Sequence, residues 1–192
     1  MERLNDEQLN VLDKEILEFY CQEAAKRLED YIRVESTITE RCYILFGIYY
    51  AIIAASMGYV LSNLDKQNDL PVTYGCLALF TFSFISLIYV TKAMKPHDFY
   101  AKGRDPEEFR IPEYVKYFQK CPKADKKKNV LADELVMLQE SISKQRALNE
   151  KRAGQISASL SFLATGSCIT AILFIITYIT VSYTHLRAHE TL

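Results

Sequence analysis

Three long stretches of this chain contain no charged residue, although charged residues make up 24% of the sequence. Every charge lies outside residues 42–64, 70–91 and 157–180. That clustering argues against a simple soluble globule and for an integral membrane protein. A formal net charge of −1 gives no case for a nucleic-acid binder. The N-terminus, MERLNDEQLN, lacks the basic start and early apolar core of a cleavable signal peptide, so the first span serves as its own insertion signal. No C-x-x-C occurs among the five cysteines, Cys21, Cys42, Cys76, Cys121 and Cys168. Three lie inside spans, and no external pair exists to bridge, so they read as free thiols in a reducing compartment.

The uncharged stretches fit membrane spans. The first runs from Cys42 to Leu64, the second from Leu70 to Thr91, and the third to Thr180. Each meets the ~20 apolar residues a helix needs to cross the hydrocarbon core. A soluble helix would show a polar face every three or four residues. Here the polar positions hold only Ser, Thr, Tyr and Cys. Tyr43 and Tyr59 flank the first span and Tyr74 and Tyr89 the second, as interfacial tyrosines do. Tyr49 and Tyr50 fall mid-span, where each hydroxyl needs a partner from another helix.

Lysine and arginine set the orientation. Arg41, Lys92, Lys95, Lys151 and Arg152 lie close to span ends, and the loop 65–69 holds only Lys66. The positive-inside rule then puts the N-terminus and residues 92–156 in the cytoplasm, with the short loop outside.

Residues 6–40 read as an amphipathic helix that Asp6 could cap. Its stripe is Leu9, Leu12, Ile16, Tyr20, Ala24, Leu28, Tyr31 and Ile32. No breaker separates it from the first span. After the second span, Pro96, Gly103, Pro106, Pro112 and Pro122 predict loop and turns. Short helices are expected after Asp105–Pro106 and over residues 112–119. A second long helix begins near Val130, with Leu131, Leu135, Leu138 and Ile142 on its edge, and continues into the third span. The two cytoplasmic helices can pack on each other as a stalk or coil.

The resulting expectation is an all-α integral membrane protein with three transmembrane helices and two long cytoplasmic helices. Its segments are a cytoplasmic amphipathic helix (1–41), span 1 (42–64), an external loop (65–69) and span 2 (70–91). A cytoplasmic Pro/Gly/Lys-rich loop (92–129), a cytoplasmic helix (130–156) and span 3 (157–180) follow. Small residues recur every four positions at Gly47, Ala51 and Ala55, and at Ser157, Ser161 and Thr165. Such stripes let helix backbones approach closely in lipid, within a chain or between chains. Lys126, Lys127 and Lys128, extended by Lys120 and Lys123, form a basic run suited to a solvated linker or anionic lipid heads.

Residues 181–191, VSYTHLRAHET, resemble the conceptual translation of a transposase-based sequencing adapter. The expectation is a non-native tail over 181–192, with the true coding sequence lost after about Thr180. His185 and His189 go with it, which leaves His97 as the one authentic histidine. Catalysis is hard to build from the remainder. There is no Gly-rich phosphate loop, no G-x-S-x-G and no cluster with metal-ligand spacing. No enzyme, cofactor or metal is expected. The spans hold no Asp, Glu, Lys or Arg, which counts against a coupled transporter and leaves open a pore formed by oligomers.

The layout can now be compared. An amphipathic helix leads into a two-span hairpin. A Lys95–Pro96 element and a loop with Gly103 and Pro106 follow, then a long helix over Glu134–Arg152 that feeds another span. Over residues 6–180 this architecture resembles small bacterial membrane effectors of anti-phage nucleotide-signalling systems, the SLATT and Pycsar-effector groups. The resemblance implies a homo-oligomer in the bacterial inner membrane, activated through its cytoplasmic part by a protein or signal-nucleotide partner, that then perturbs the bilayer. A structural or adaptor subunit of a larger membrane complex is the alternative reading.

Overall fold

The computed structural model describes residues 11–63, 70–95, 111–120 and 125–190. Among the described residues the secondary structure is entirely helical. The helices are α1 (Lys14–Ser62), α2 (Leu70–Met94), α3 (Ile111–Lys120) and α4 (Lys126–Glu190). Three of them are long and apolar enough to cross a membrane: α1, α2 from Val72, and α4 up to Thr180.

This corrects the expected element list. Two long cytoplasmic helices do not exist beside three transmembrane ones. The amphipathic segments are the first halves of α1 and α4, and among the described residues only the ten-residue α3 stands apart from the candidate spans. The reason lies in the backbone. No proline interrupts α1 or α4, so the i→i−4 ladder runs through the change from polar to apolar side chains. At 1.5 Å per residue the two helices are about 74 Å and about 98 Å long, well beyond a ~30 Å hydrocarbon core. Asp125 caps α4, its Oδ1 accepting from the backbone N–H groups of Lys127 and Lys128 at 3.0 and 3.2 Å. The helix therefore starts earlier than residue 130, and it stays helical through the adapter-like string to Glu190. The short helix expected over 112–119 is α3. The Asp6 cap, the 65–69 loop, His97, the turn at Asp105–Pro106, Cys121 and Pro122 lie outside the described residues.

The chain divides into two compact units. Unit 1 is Met1–Thr37 with Pro96–Glu150, and unit 2 is Ile38–Lys95 with Lys151–Leu192. In unit 1, α1 and α4 run parallel. Cys21 Sγ donates to Leu131 O at 3.3 Å and Gln145 Nε2 to Glu35 Oε2 at 2.7 Å, both pairs 110 residues apart. Its core is Leu17 and Ala132, packed by Leu12, Leu131 and Leu135. Tyr114 of α3 donates to Asp133 at 2.6 Å, and Lys126 lies over the Phe118 ring.

In unit 2 the same offset of 110 recurs between Tyr49 and Ser159. The intervals 21–35–49 and 131–145–159 are each two heptads, the spacing of a parallel coiled coil. Against α4 the hairpin partner α2 runs antiparallel. Its contacts are Ala93 with Arg152, Ser86 with Ser159, and Gly75 with Thr170, so each advance along α4 matches an equal retreat along α2. The core of unit 2 is Ile38, Cys42, Tyr49, Val90 and Ala93, with Leu45, Leu87, Met94, Ile156 and Leu163 packed on it.

Candidate functional site

Along α4 the inward positions follow one another at alternating steps of three and four residues. They are Gln145, Asn149, Arg152, Ile156, Ser159, Leu163, Gly166 and Thr170. That rhythm averages 3.5 residues, so within each unit these positions fall on one face of α4. Most of these side chains are polar or small, and two groups of them form polar contacts.

Unit 1 holds the first group. Gln145 is buried and donates to Glu35 on α1, while Asn149 Nδ2 donates to Tyr31 O at 2.9 Å. The donors reach across the coil where an apolar pair would otherwise sit. Buried amides of this kind fix the register of a coil at some cost in stability. Beside them an open groove of about 1150 Å³ runs between the helices, lined by Tyr20, Ala24, Tyr31, Leu135, Val136 and Ile142 among others. Its rims carry both signs of charge, including Lys26, Arg27, Asp30 and Glu140. Burial pushes the Cys21 thiol above its ordinary value, which makes it a poor nucleophile.

Unit 2 holds the second group. Arg152 is only 3% exposed. Its Nε donates to Ala93 O and its Nη2 to Thr39 Oγ1, both at 2.8 Å. Ala93 belongs to the last turn of α2, whose carbonyls have no helical partner, so the guanidinium satisfies a helix C-terminus and holds three helices together. Further along, Tyr49 Oη and Ser159 Oγ lie 3.0 Å apart. Ser86 Oγ donates to Phe82 O or Ser159 O, each at 2.9 Å, and Thr170 Oγ1 donates to Gly75 O at 3.1 Å. Gly166 lets α2 come close: a Cβ there would lie 2.5 Å from Phe82 Cβ. Tyr89 stacks on Phe162 at 5.3 Å.

The residues singled out by sequence fall in different places. Arg41, Lys92, Lys95 and Lys151 are exposed, with Lys92 Nζ 5.6 Å from the centre of the Tyr89 ring, and only Arg152 is buried. Gly47, Ala51 and Ala55 are exposed on α1, as are Ser157, Ser161 and Thr165 on α4. Neither stripe meets another helix of this chain in the buried core. Ser161 and Thr165 donate to carbonyls of their own helix instead. Tyr49 has the interhelical partner a mid-span hydroxyl needs, whereas Tyr50 is exposed. Ser86, Ser159, Gly166 and Thr170 escaped the sequence reading. A search at alternating three- and four-residue steps, rather than at every fourth residue, would have found those on α4.

Among the described residues no group of three His, Cys, Asp or Glu is placed to hold a metal ion, and Cys21, Cys42, Cys76 and Cys168 are free thiols. Compared with protein-family models, curated proteins and solved structures, the chain matches none. What the geometry establishes, among the described residues, is an all-helical chain with three candidate membrane spans.

Proposed function

We propose that this chain is a non-enzymatic, oligomerising protein of the bacterial inner membrane, similar in kind to the SLATT and Pycsar effectors. Its cytoplasmic halves of α1 and α4 receive a protein or signal-nucleotide partner, and its spans rearrange and perturb the bilayer in response. The observation that carries this reading is continuity: both helices that form unit 1 continue without a break into candidate spans. A change in how the two helices pair has a covalent, hydrogen-bonded path into the membrane.

The parallel pairing of α1 with α4 bears on orientation. Two parallel helices enter a membrane from the same side, so the side that holds Lys14 also holds Lys126. The basic residues near the span ends favour the cytoplasm for that side. A potential-sensitive dye tests the function. Expression of the intact gene, alone or under phage challenge, is expected to depolarise cells. An unchanged potential in both conditions overturns the effector reading.

The groove of unit 1 favours a second reading, an adaptor subunit of a larger membrane complex. Its apolar floor with mixed-charge rims suits a partner helix. That reading expects stable co-purification with one partner and no toxicity on overexpression.

A further inference from the structure

We infer that unit 2 encloses a water-binding seam, and that this seam within one chain, not a gap between copies, is where water and small solutes cross when the protein opens. The crossing rests on the function proposed above. The seam stands on its own geometry.

Tyr49 and Ser56 of α1, Ser83 and Ser86 of α2, and Ser159 and Thr170 of α4 are all buried in a bundle whose outer faces are apolar. Ser159 and Thr170 lie about 16 Å apart along α4 in a ~30 Å hydrocarbon core, with Leu163 and Gly166 inward between them. Tyr49, Ser86, Ser159 and Thr170 have hydrogen-bond partners. Ser83 does not. Its side chain is 0% exposed, and its Oγ has no partner among the described residues.

The neighbours of Ser83 make this informative. Thr81, Ser86 and Thr91 on the same helix each donate to the carbonyl four residues back. Ser83 leaves that default bond unmade and lies three residues from the Ser86–Ser159–Tyr49 group. An unpaired hydroxyl in an apolar interior is costly, and water is the usual partner of such a group. The outer stripe offers no comparable site, since Ser161 and Thr165 already spend their protons on their own helix.

Cysteine scanning of the full chain in lipid vesicles tests this. Ser83→Cys, Ser86→Cys and Ser161→Cys are each made with the five native cysteines replaced by alanine. They are treated with a small water-soluble methanethiosulfonate, and adducts are followed by mass spectrometry. Because a hydrated thiolate attacks the reagent's sulfenyl sulfur and expels methanesulfinate, Ser83→Cys is expected to react at least about tenfold faster than Ser161→Cys. Ser86→Cys supplies a second inward position if Ser83→Cys misfolds. Faster reaction at Ser161→Cys places water between copies and overturns the inference. No reaction at either inward position means that Ser83 has turned to its own carbonyl, and overturns it equally. Cells that depolarise while the inward cysteines stay inert keep the function and lose the seam. Inward cysteines that react in a chain that never depolarises cells keep the seam and lose the function.

Discussion

Helices α1 and α4 pair twice, with the same spacing and with opposite outer faces. In unit 1 the inside is Leu17, Leu28 and Ala132, and the outside carries ion pairs such as Lys26–Glu23 and Lys144–Glu140. In unit 2 the inside mixes the hydroxyls of Tyr49, Ser86, Ser159 and Thr170 with the apolar Ile38, Val90 and Ala93, and the outside holds Ile44, Ile48, Ile172, Ile175 and Ile176. The 110-residue offset is common to both. Coil geometry is thus indifferent to the solvent, and the solvent selects what fills it. Water expels apolar side chains into the seam. Lipid rewards no such burial, so small residues and hydroxyls share the seam with apolar side chains, and apolar side chains also face out.

The sharpest way to break this comparison is to truncate one apolar residue on each side of it. Leu28→Ala removes a side chain that is 1% exposed in unit 1. Its expected cost is about 2–5 kcal/mol, toward the lower end because water can partly refill a two-helix seam. Ile172→Ala removes an outward side chain from unit 2. In detergent it is expected to change stability by less than about 0.5 kcal/mol, as substitutions away from packed features do. Thermal unfolding of the purified chain measures both. A cost at Ile172 as large as that at Leu28 would mean that the outward face is itself packed, against another copy.

Glycine gives the next largest contrast, inside unit 2. A methyl at Gly166 meets Phe82 at 2.5 Å, and one at Gly47 meets nothing within 4 Å. Gly166→Ala is expected to cost about 1–3 kcal/mol by forcing α2 and α4 apart. Gly47→Ala is expected to be neutral or stabilising, since alanine is the better helix former by about 1 kcal/mol. Equal losses at the two positions would put Gly47 in a close interface between chains. Smaller again is Tyr49→Phe, which removes one interhelical hydrogen bond to Ser159. Bonds of this kind in membranes average about 0.6 kcal/mol and reach about 1.7 kcal/mol.

Those contrasts also mark how far the sequence could be read. The spans were legible because the absence of charge over some twenty residues has one common cause. The seam was not. Its stripe mixes Gln145, Arg152, Ser159 and Gly166, so no apolar periodicity reveals it, and the four-residue spacing of Ser157, Ser161 and Thr165 points to the neighbouring face. Likewise Ile16 and Tyr20 were placed on the inner stripe of α1, yet they are exposed while Leu17 and Cys21 are buried. Phase along a helix is fixed by the partner, and one strand of a coil carries only part of that information. Arg152 shows the same limit: its charge near a span end was legible as a topology signal, but its bond to Ala93 required knowing where α2 ends.

The smallest expected effect sits on the polar outside of unit 1. Lys127 Nζ lies 2.6 Å from Glu18 Oε1, both side chains well exposed. The hydrogen bond from Lys127 holds the Glu18 carboxyl below its ordinary range, and the same bond raises the lysine. The acid's contribution is therefore complete above its unfolded pKa and is lost as pH falls through the lowered folded value. The lysine's contribution is complete below its unfolded pKa and is lost as pH rises through the raised one. Between those limits the pair's contribution is expected to be flat with pH, and Glu18→Gln is expected to remove the acidic limb and most of the basic one, since Glu18 is the main cause of the lysine's shift. The pair is exposed, so its worth is small and falls with salt. At 1 M, where the screening length is about 3 Å, wild type and Glu18→Gln should unfold together. A difference that survives 1 M salt would mean that water does not reach the pair. In that case the outside of unit 1 would be covered by a partner, and the contrast between the two units would belong to the isolated chain alone.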